Sequence, residues 1–173
     1  MRKRALWLLA IVMLAGGVLV LGPASATGRG APKILEFDTM VGVPRPYTGA
    51  TNAIRGVPGG GLPWVVDEAK GELAVDGRIE VEVEGLVLDP DDPQVPAELA
   101  GTNPIPNFKA IVSCLSTPDG AAATTVNVET GLFPATATGE SKIEDTVDLP
   151  EPCIAPIVFV TSPTGAWFAA TGF

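Results

Sequence analysis

The chain contains no histidine, only two cysteines and a single tyrosine among its 173 residues. The absence of histidine excludes Ser-His-Asp and Cys-His nucleophile activation, a histidine general base and histidine metal ligands. A serine–lysine pair at S-x-x-K spacing is also missing, because Ser141 and Lys142 are adjacent. The stretch VPGGGLPW lacks the Lys-Ser/Thr of a phosphate-binding loop, so Gly59, Gly60 and Gly61 predict a flexible surface loop. The sequence therefore predicts a protein that is not an enzyme and that holds no cofactor.

Basic residues are scarce as well, with 11 Lys and Arg against 20 Asp and Glu and a formal net charge of −9. Three of these basic residues stand at positions 2–4, directly before an apolar stretch at residues 5–21. Pro23 and the small residues 24–26 (ASA) follow, which is the pattern of a secretory signal peptide cleaved after Ala26. An uncleaved anchor is the alternative, but the apolar stretch is slightly short of the ~20 residues that a spanning helix needs.

Removal of this leader leaves residues 27–173, enough chain for one domain with a buried core, and changes the net charge to −12. We expect a Gly/Pro-rich lead-in at 27–52, with one strand around KILEFDTM, and a β-sandwich domain at 53–173. So acidic a chain repels nucleic acid and anionic lipid, which predicts no nucleic-acid partner and no stable membrane insertion after cleavage. The expected location is extracellular, and a cell-surface or glycan partner is one possibility there.

The two cysteines, Cys114 in VSCLSTPDG and Cys153 in LPEPCIAP, have three alternative roles: a metal site, redox chemistry or a disulfide. A redox role typically uses a close C-x-x-C pair, and a metal site needs more thiolates or histidines. In an oxidising exterior two cysteines most simply pair. The sequence therefore predicts a structural disulfide between Cys114 and Cys153.

Alternating polarity in DGRIEVEVEGLVLD predicts a strand with Ile79, Val81 and Val83 on one face. The opposite face carries three glutamates, which we call the glutamate row: Glu80, Glu82 and Glu84. Asp76-Gly77 before this strand is a hairpin signal, and Gly85 after it interrupts the alternation as a bulge would. The row also suggests paired carboxylates for glycoside hydrolysis, but an exposed face gives no reason for a raised pKa, so solubility explains it better.

Turn signals divide the remaining sequence into further short strands. Upstream, PWVVDEAKGELAVDG predicts two strands separated by a turn at residues 69–71. Downstream, turns are predicted at residues 117–120 (TPDG) and 163–165 (PTG), each between apolar runs. No helical periodicity occurs outside the leader, and eight or nine strands are expected. The sequence predicts an all-β antiparallel sandwich, immunoglobulin-like in general form, preceded by an N-terminal signal helix.

An acidic loop, LDPDDPQVP, places Asp89, Asp91 and Asp92 between two predicted strands. Oxygen-rich loops of extracellular modules bind Ca²⁺, so these residues are a candidate metal site. The alternative is a solvated turn in which each Asp caps its own backbone. Trp64 and Trp167 suggest an aromatic platform for sugar, but their apolar neighbours favour core packing. A Ca²⁺- or glycan-binding module that uses this loop and an exposed tryptophan is therefore an alternative function.

Three segments carry a resemblance to a known family: IRGVPGGGLPWVVDEAKGELAVDGRIEVEVEGLVLDP, NPIPNFKAIVSCLS and LPEPCIAPIVFVTSPTGAWFAATG. Together they resemble an uncharacterised family of small secreted bacterial proteins, over roughly residues 53–172. The resemblance implies export, a single β-rich domain and a shared cysteine pair, and it implies no catalytic residue, cofactor or substrate. We therefore expect a secreted, non-catalytic protein with a structural, adhesive or ligand-binding role, and a histidine-free enzyme of unrecognised type is the third alternative.

Overall fold

Twelve strands form the described part of the chain, which in this computed structural model comprises residues 30–117 and 120–171. Their bounds are β1 Lys33–Phe37, β2 Val41–Gly42, β3 Trp64–Val65, β4 Glu68–Ala74, β5 Arg78–Glu84, β6 Val87–Leu88, β7 Asn107–Ser116, β8 Thr124–Glu129, β9 Phe133–Pro134, β10 Ser141–Thr146, β11 Ile154–Thr161 and β12 Trp167–Ala170. Every pairing between these strands is antiparallel, so the all-β prediction is confirmed. The predicted signal peptide and its helix lie outside the described residues.

The strands form a four-stranded sheet, β1-β4-β5-β10, and a six-stranded sheet, β2-β12-β11-β7-β8, in which β9 also pairs with β7. A two-stranded ribbon, β3-β6, completes the fold. The strand count exceeds the predicted eight or nine because β2, β3, β6 and β9 have only two residues each. β1 and β2 come from the predicted lead-in, and each is paired within one of the two large sheets.

Both large sheets contribute side chains to one buried core. Alternation along β5 buries Ile79, Val81 and Val83, while the glutamate row lies on the opposite face as predicted. The other sheet contributes buried side chains from β7 and β11, which are Phe108, Ala110, Val112, Val158 and Val160. The predicted hairpin at Asp76-Gly77 joins β4 to β5, and Gly77 adopts the positive φ of 85° that this turn requires.

The turn predicted at residues 69–71 is wrong, because β4 continues through it from Glu68 to Ala74. Gly71 stands in the middle of this strand, where two neighbours approach the backbone closely. A Cβ at Gly71 would lie 2.3 Å from the carbonyl oxygen of Glu80 and 2.6 Å from Cζ of Phe37. The glycine is therefore needed for close packing within the sheet and not for a change of direction.

An arm at residues 49–60 crosses the six-stranded sheet. The base of the arm is hydrogen-bonded to β12. The N–H of Gly60 donates to the carbonyl oxygen of Trp167 at 2.8 Å, and the N–H of Trp167 donates to the carbonyl oxygen of Pro58 at 2.8 Å. Its tip is a two-residue turn at Arg55-Gly56, where both residues have positive φ, 50° and 81°. Trp167, with which the base of the arm pairs, and Phe159, whose ring centroid lies 6.0 Å from that of Trp167, are both buried.

Arg55 fastens the tip of the arm to the sheet. Its Nη1 donates to the carbonyl oxygens of Ser113 on β7 and Ala155 on β11, each at 2.9 Å. Nδ2 of Asn127, on β8, donates to the carbonyl oxygen of Arg55 at 3.1 Å. The arm thus reaches from one edge of the sheet to the strand at the other edge.

The glycine stretch at the base of this arm differs from the flexible surface loop that the sequence predicts. Gly59 and Gly60 are buried, and only Gly61 is exposed. A Cβ at Gly59 would lie 2.0 Å from the carbonyl oxygen of Tyr47, so the chain passes there without room for a side chain. The prediction is wrong for the first two glycines, because the sequence does not reveal which backbone will pack against them.

Candidate functional site

The predicted disulfide is present between Cys114 and Cys153, whose Cα atoms are 5.0 Å apart. Cys114 lies on β7 with no exposed surface, and Cys153 directly precedes β11, which pairs with β7. The bond therefore fastens the first part of β11 to the centre of the six-stranded sheet. A disulfide bond is consistent with an oxidising, extracellular location.

The acidic loop uses its carboxylates for contacts within the chain. Oδ1 of Asp89 accepts the N–H of Asp91 at 2.9 Å, and Oδ1 of Asp92 accepts the N–H of Gln94 at 2.8 Å. The other oxygen of Asp92 pairs with the guanidinium of Arg45. These are the contacts of capped turns. Across residues 30–117 and 120–171, no three acidic, cysteine or histidine side chains are grouped to hold a metal ion.

Trp64 and Trp167 are both core residues, with 4% and 3% of their surface exposed. The ring of Trp64 stacks on Phe168 with centroids 3.9 Å apart, and Phe108 meets it edge-on at 6.4 Å. The favoured prediction of core packing therefore describes both side chains. Neither of these two tryptophans offers an exposed face to a sugar ring.

Glu80 and Glu82 of the glutamate row form part of a network of ion pairs, between and within strands, on the exposed face of the four-stranded sheet. Nζ of Lys70 lies 3.1 Å from Glu82, and Nζ of Lys142 lies 2.6 Å from Glu144 and 3.2 Å from Glu80. Donation to these carboxylates raises the pKa of both lysines above its usual 10.5. The face is a solvated lattice of paired charges, which agrees with the interpretation of the row as a solubility feature.

Asp145 of β10 accepts two backbone hydrogen bonds, one from the loop before β9 and one from the next residue of its own strand. Oδ2 of Asp145 accepts the N–H of Gly131 at 2.8 Å, and its Oδ1 accepts the N–H of Thr146 at 2.8 Å. These backbone donors lower the pKa of Asp145 from its usual 3.8. The carboxylate is therefore held in its charged form as a structural acceptor.

The edges of the two large sheets differ in charge. β1 and β10 border the four-stranded sheet, and each carries both acidic and basic side chains. β2 borders the six-stranded sheet on one side and has only two residues. β8 borders the other side, is six residues long and carries a single charged residue, Glu129. The sheet edge at β8 is therefore the longest weakly charged edge in the described part of the chain.

The run after the turn predicted at residues 117–120 contains β8, but its position at a sheet edge is not visible in the sequence. The signal in the sequence is the composition of residues 120–128 (GAAATTVNV), which contain no charge. The uncharged composition indicates an unprotected edge only when the order of the strands is known, because an uncharged strand is ordinary in the middle of a sheet and unusual at its border.

Comparison of the chain with protein-family models, with curated proteins and with solved structures gives no match. No activity, ligand or partner is therefore carried over from another protein. Within the described residues no helix is long and apolar enough to span a membrane.

Proposed function

We propose that this chain is a secreted, non-catalytic β-sandwich protein, immunoglobulin-like in general form, that acts as a structural module in assemblies outside the cell. The observation that carries the proposal is the open, weakly charged edge of β8 on a body whose other large surface is a lattice of paired charges. An open edge of this kind is a template for a further strand, which natural proteins otherwise protect with charge or cover.

Two further features support a structural role outside the cell. The Cys114–Cys153 bond and the signal-peptide pattern both favour an oxidising destination. The Arg55 contacts tie the tip of the arm to both β7 and β11 and so support a single well-fixed body. The acidic surface keeps the exported chain soluble until it assembles.

The proposal is tested by expressing the full chain with its own leader in the cell that makes it. Material outside the cell should begin at Thr27, contain the closed Cys114–Cys153 bond and, once concentrated to ~0.5 mM, migrate in particles larger than one chain. Protein retained in the cytoplasm with free thiols, or exported protein that is monomeric throughout, would contradict the proposal.

The Ca²⁺-binding alternative is separated from this proposal by a thermal unfolding experiment with and without about 5 mM CaCl₂, above the dissociation constants of weak extracellular sites. Because Asp89 and Asp92 already accept backbone N–H groups, we expect no change in Tm. A rise in Tm that the Asp91→Asn variant abolishes would favour the Ca²⁺-binding module instead.

A further inference from the structure

The open side of β8 can be assigned residue by residue from the ladder that joins it to β7. Thr130 N–H, just beyond β8, donates to the carbonyl of Ala110 at 3.0 Å, which makes this a hydrogen-bonded position. Such positions alternate with open ones in an antiparallel ladder. Since Glu129 stands opposite Ile111, the backbone groups of Thr125, Asn127 and Glu129 point away from β7. No other strand in the described part of the chain pairs with them.

The charge on this edge is neutralised within the chain. The only charged residue of β8 is Glu129, and its carboxylate lies 2.6 Å from Nζ of Lys109 on the neighbouring strand. The edge therefore offers no unpaired carboxylate to select a basic segment. It also presents no free charge that would repel another acidic chain, although the chain without its leader carries −12.

The open positions are self-complementary under a two-fold rotation. If the axis passes beside Asn127, each Asn127 faces its counterpart, Thr125 faces Glu129 of the second copy, and Val126 faces Val128. Every outward N–H then meets an outward carbonyl, as in an ordinary antiparallel ladder. The two Glu129 residues lie at opposite ends, about 14 Å apart along the strands, which exceeds the screening length of roughly 8 Å at physiological salt.

From this geometry we infer that β8 pairs with β8 of a second copy of the chain, about a two-fold axis at Asn127, so that two six-stranded sheets become one continuous sheet. The inference deepens the proposed function and rests on it, because it names the partner that the open edge accepts. A two-fold contact uses the same patch on both chains, which the pattern of outward groups satisfies. Because the contact joins strands of only six residues, we expect the dimer to be weak and concentration-dependent.

The inference is tested by sedimentation equilibrium of the exported, disulfide-intact chain up to ~0.5 mM, where contacts worth about 4–5 kcal/mol become populated. A monomer–dimer equilibrium is expected. The association constant of the dimer should increase from low to high salt, because salt screens the repulsion between the two acidic chains. A chain that stays monomeric at every salt concentration overturns the inference.

Two substitutions of Thr125 test whether the dimer contact is formed by the open edge of β8. Thr125→Pro removes an outward N–H without removing a bond to β7, so the fold is kept and self-association should fall at least tenfold. Thr125→Ala keeps the N–H and should associate within twofold of the unaltered chain. A dimer that Thr125→Pro leaves unchanged is built on another surface, which overturns the inference.

A cysteine at the axis tests the register independently. Two Asn127 residues in a hydrogen-bonded pair would have Cα atoms about 5.5 Å apart, within the range that a disulfide spans. Asn127→Cys should therefore give a covalent dimer, with the native Cys114–Cys153 bond intact in a peptide map. Thr146→Cys, at the end of edge strand β10, is the control and should stay monomeric. Absence of the Asn127→Cys dimer contradicts the proposed register.

The particles recovered outside the cell, in the experiment that tests the proposed function, separate failure of this inference from failure of the proposed function. Mass spectrometry of the particles recovered outside the cell identifies their components. Particles that contain other proteins seated on β8, and no second copy, overturn self-pairing and leave the structural role in place. Exported protein that is monomeric at every concentration overturns both.

Discussion

Three adjacent glycines at residues 59–61 illustrate how strongly the role of one residue depends on its neighbours. Gly59 passes so close to the carbonyl of Tyr47 that an added Cβ would lie 2.0 Å from it, whereas a Cβ at Gly61 meets nothing within 4 Å. We expect Gly59→Ala to lower the free energy of unfolding by about 2 kcal/mol or more, because the backbone must shift to relieve the overlap.

Gly61→Ala is the matched control for this measurement, since it makes the same chemical change two residues away in an exposed position. It should alter the free energy of unfolding by no more than about 0.5 kcal/mol in urea titrations. Equal effects of the two substitutions would show that the close approach at Gly59 does not exist in solution.

Arg55 is the second residue whose importance comes from tertiary contacts. Arg55→Met keeps the apolar stem but removes the Nη1 donor to Ser113 and Ala155, which leaves two carbonyl oxygens without that partner. We expect a loss of about 2 kcal/mol, since hydrogen bonds from charged groups contribute about 1.5–3 kcal/mol each and solvent partly replaces this one. Urea unfolding at neutral pH measures the effect.

Arg78 provides the comparison for Arg55. Its side chain is 54% exposed and pairs with Asp76 only two residues away. Arg78→Met should lower the free energy of unfolding by no more than about 1 kcal/mol, because exposed ion pairs contribute little to stability. If both arginine variants lose the same free energy, the tip of the arm does not stabilise the sheet.

The structural roles of some of these residues could be predicted from the local sequence, and those of others could not, for a physical reason. The hairpin at Asp76-Gly77 was predictable because the conformation of a short hairpin loop depends mainly on the residues in the loop itself. Gly71 and Gly59 were not, because each is required by a backbone or ring from a distant part of the chain. The same limit applies to Asp92, whose partner Arg45 is 47 residues away.

At the scale of elements, alternation was sufficient to predict β5 and its exposed face, since polarity with a period of two is a property of a single strand. The cross-strand partners were not predictable, because they depend on the order β1-β4-β5-β10 and on register. Only that register places Lys142 of β10 opposite Glu82 and close to Glu80. The exposed position of the β8 edge was missed for the same reason.

The pairing of Lys142 predicts a pH dependence with a definite sign. Hydrogen bonds to Glu144 and Glu80 raise its pKa in the folded chain above the 10.5 of the unfolded chain. The ion pairs therefore contribute their full stability below pH 10.5, and this contribution is lost as the pH rises through the raised value. The difference in unfolding free energy between the unaltered chain and Lys142→Gln should be constant at neutral pH and decrease above pH 10.5.

High salt serves as the control for this titration, because the lysine and its partners are exposed. In about 1 M NaCl the difference between the two proteins should shrink at every pH, since the screening length falls to roughly 3 Å. A difference that grows with rising pH would contradict the assigned ion pairs. A difference that is insensitive to salt would attribute the effect to packing of the lysine stem.

At the scale of the whole molecule, the bond between Cys114 and Cys153 links strands that are 39 residues apart in sequence. The chain-entropy model assigns about 4 kcal/mol to a loop of this length, against a total of about 5–15 kcal/mol for a typical domain. We expect the Cys114→Ala/Cys153→Ala double variant to unfold at a much lower urea concentration than the oxidised chain. The reduced, unaltered chain should unfold close to the double variant, because both lack the cross-link.

The slope of the urea dependence gives this prediction a second readout. Without the cross-link the unfolded chain is less compact and exposes more surface, so the m-value should rise while the midpoint falls. Oxidised and reduced chains with the same midpoint and slope would mean that the bond contributes nothing to the stability of the fold. Alanine is the suitable replacement at Cys114, because a serine hydroxyl would be buried there without an assigned partner and would add its own cost.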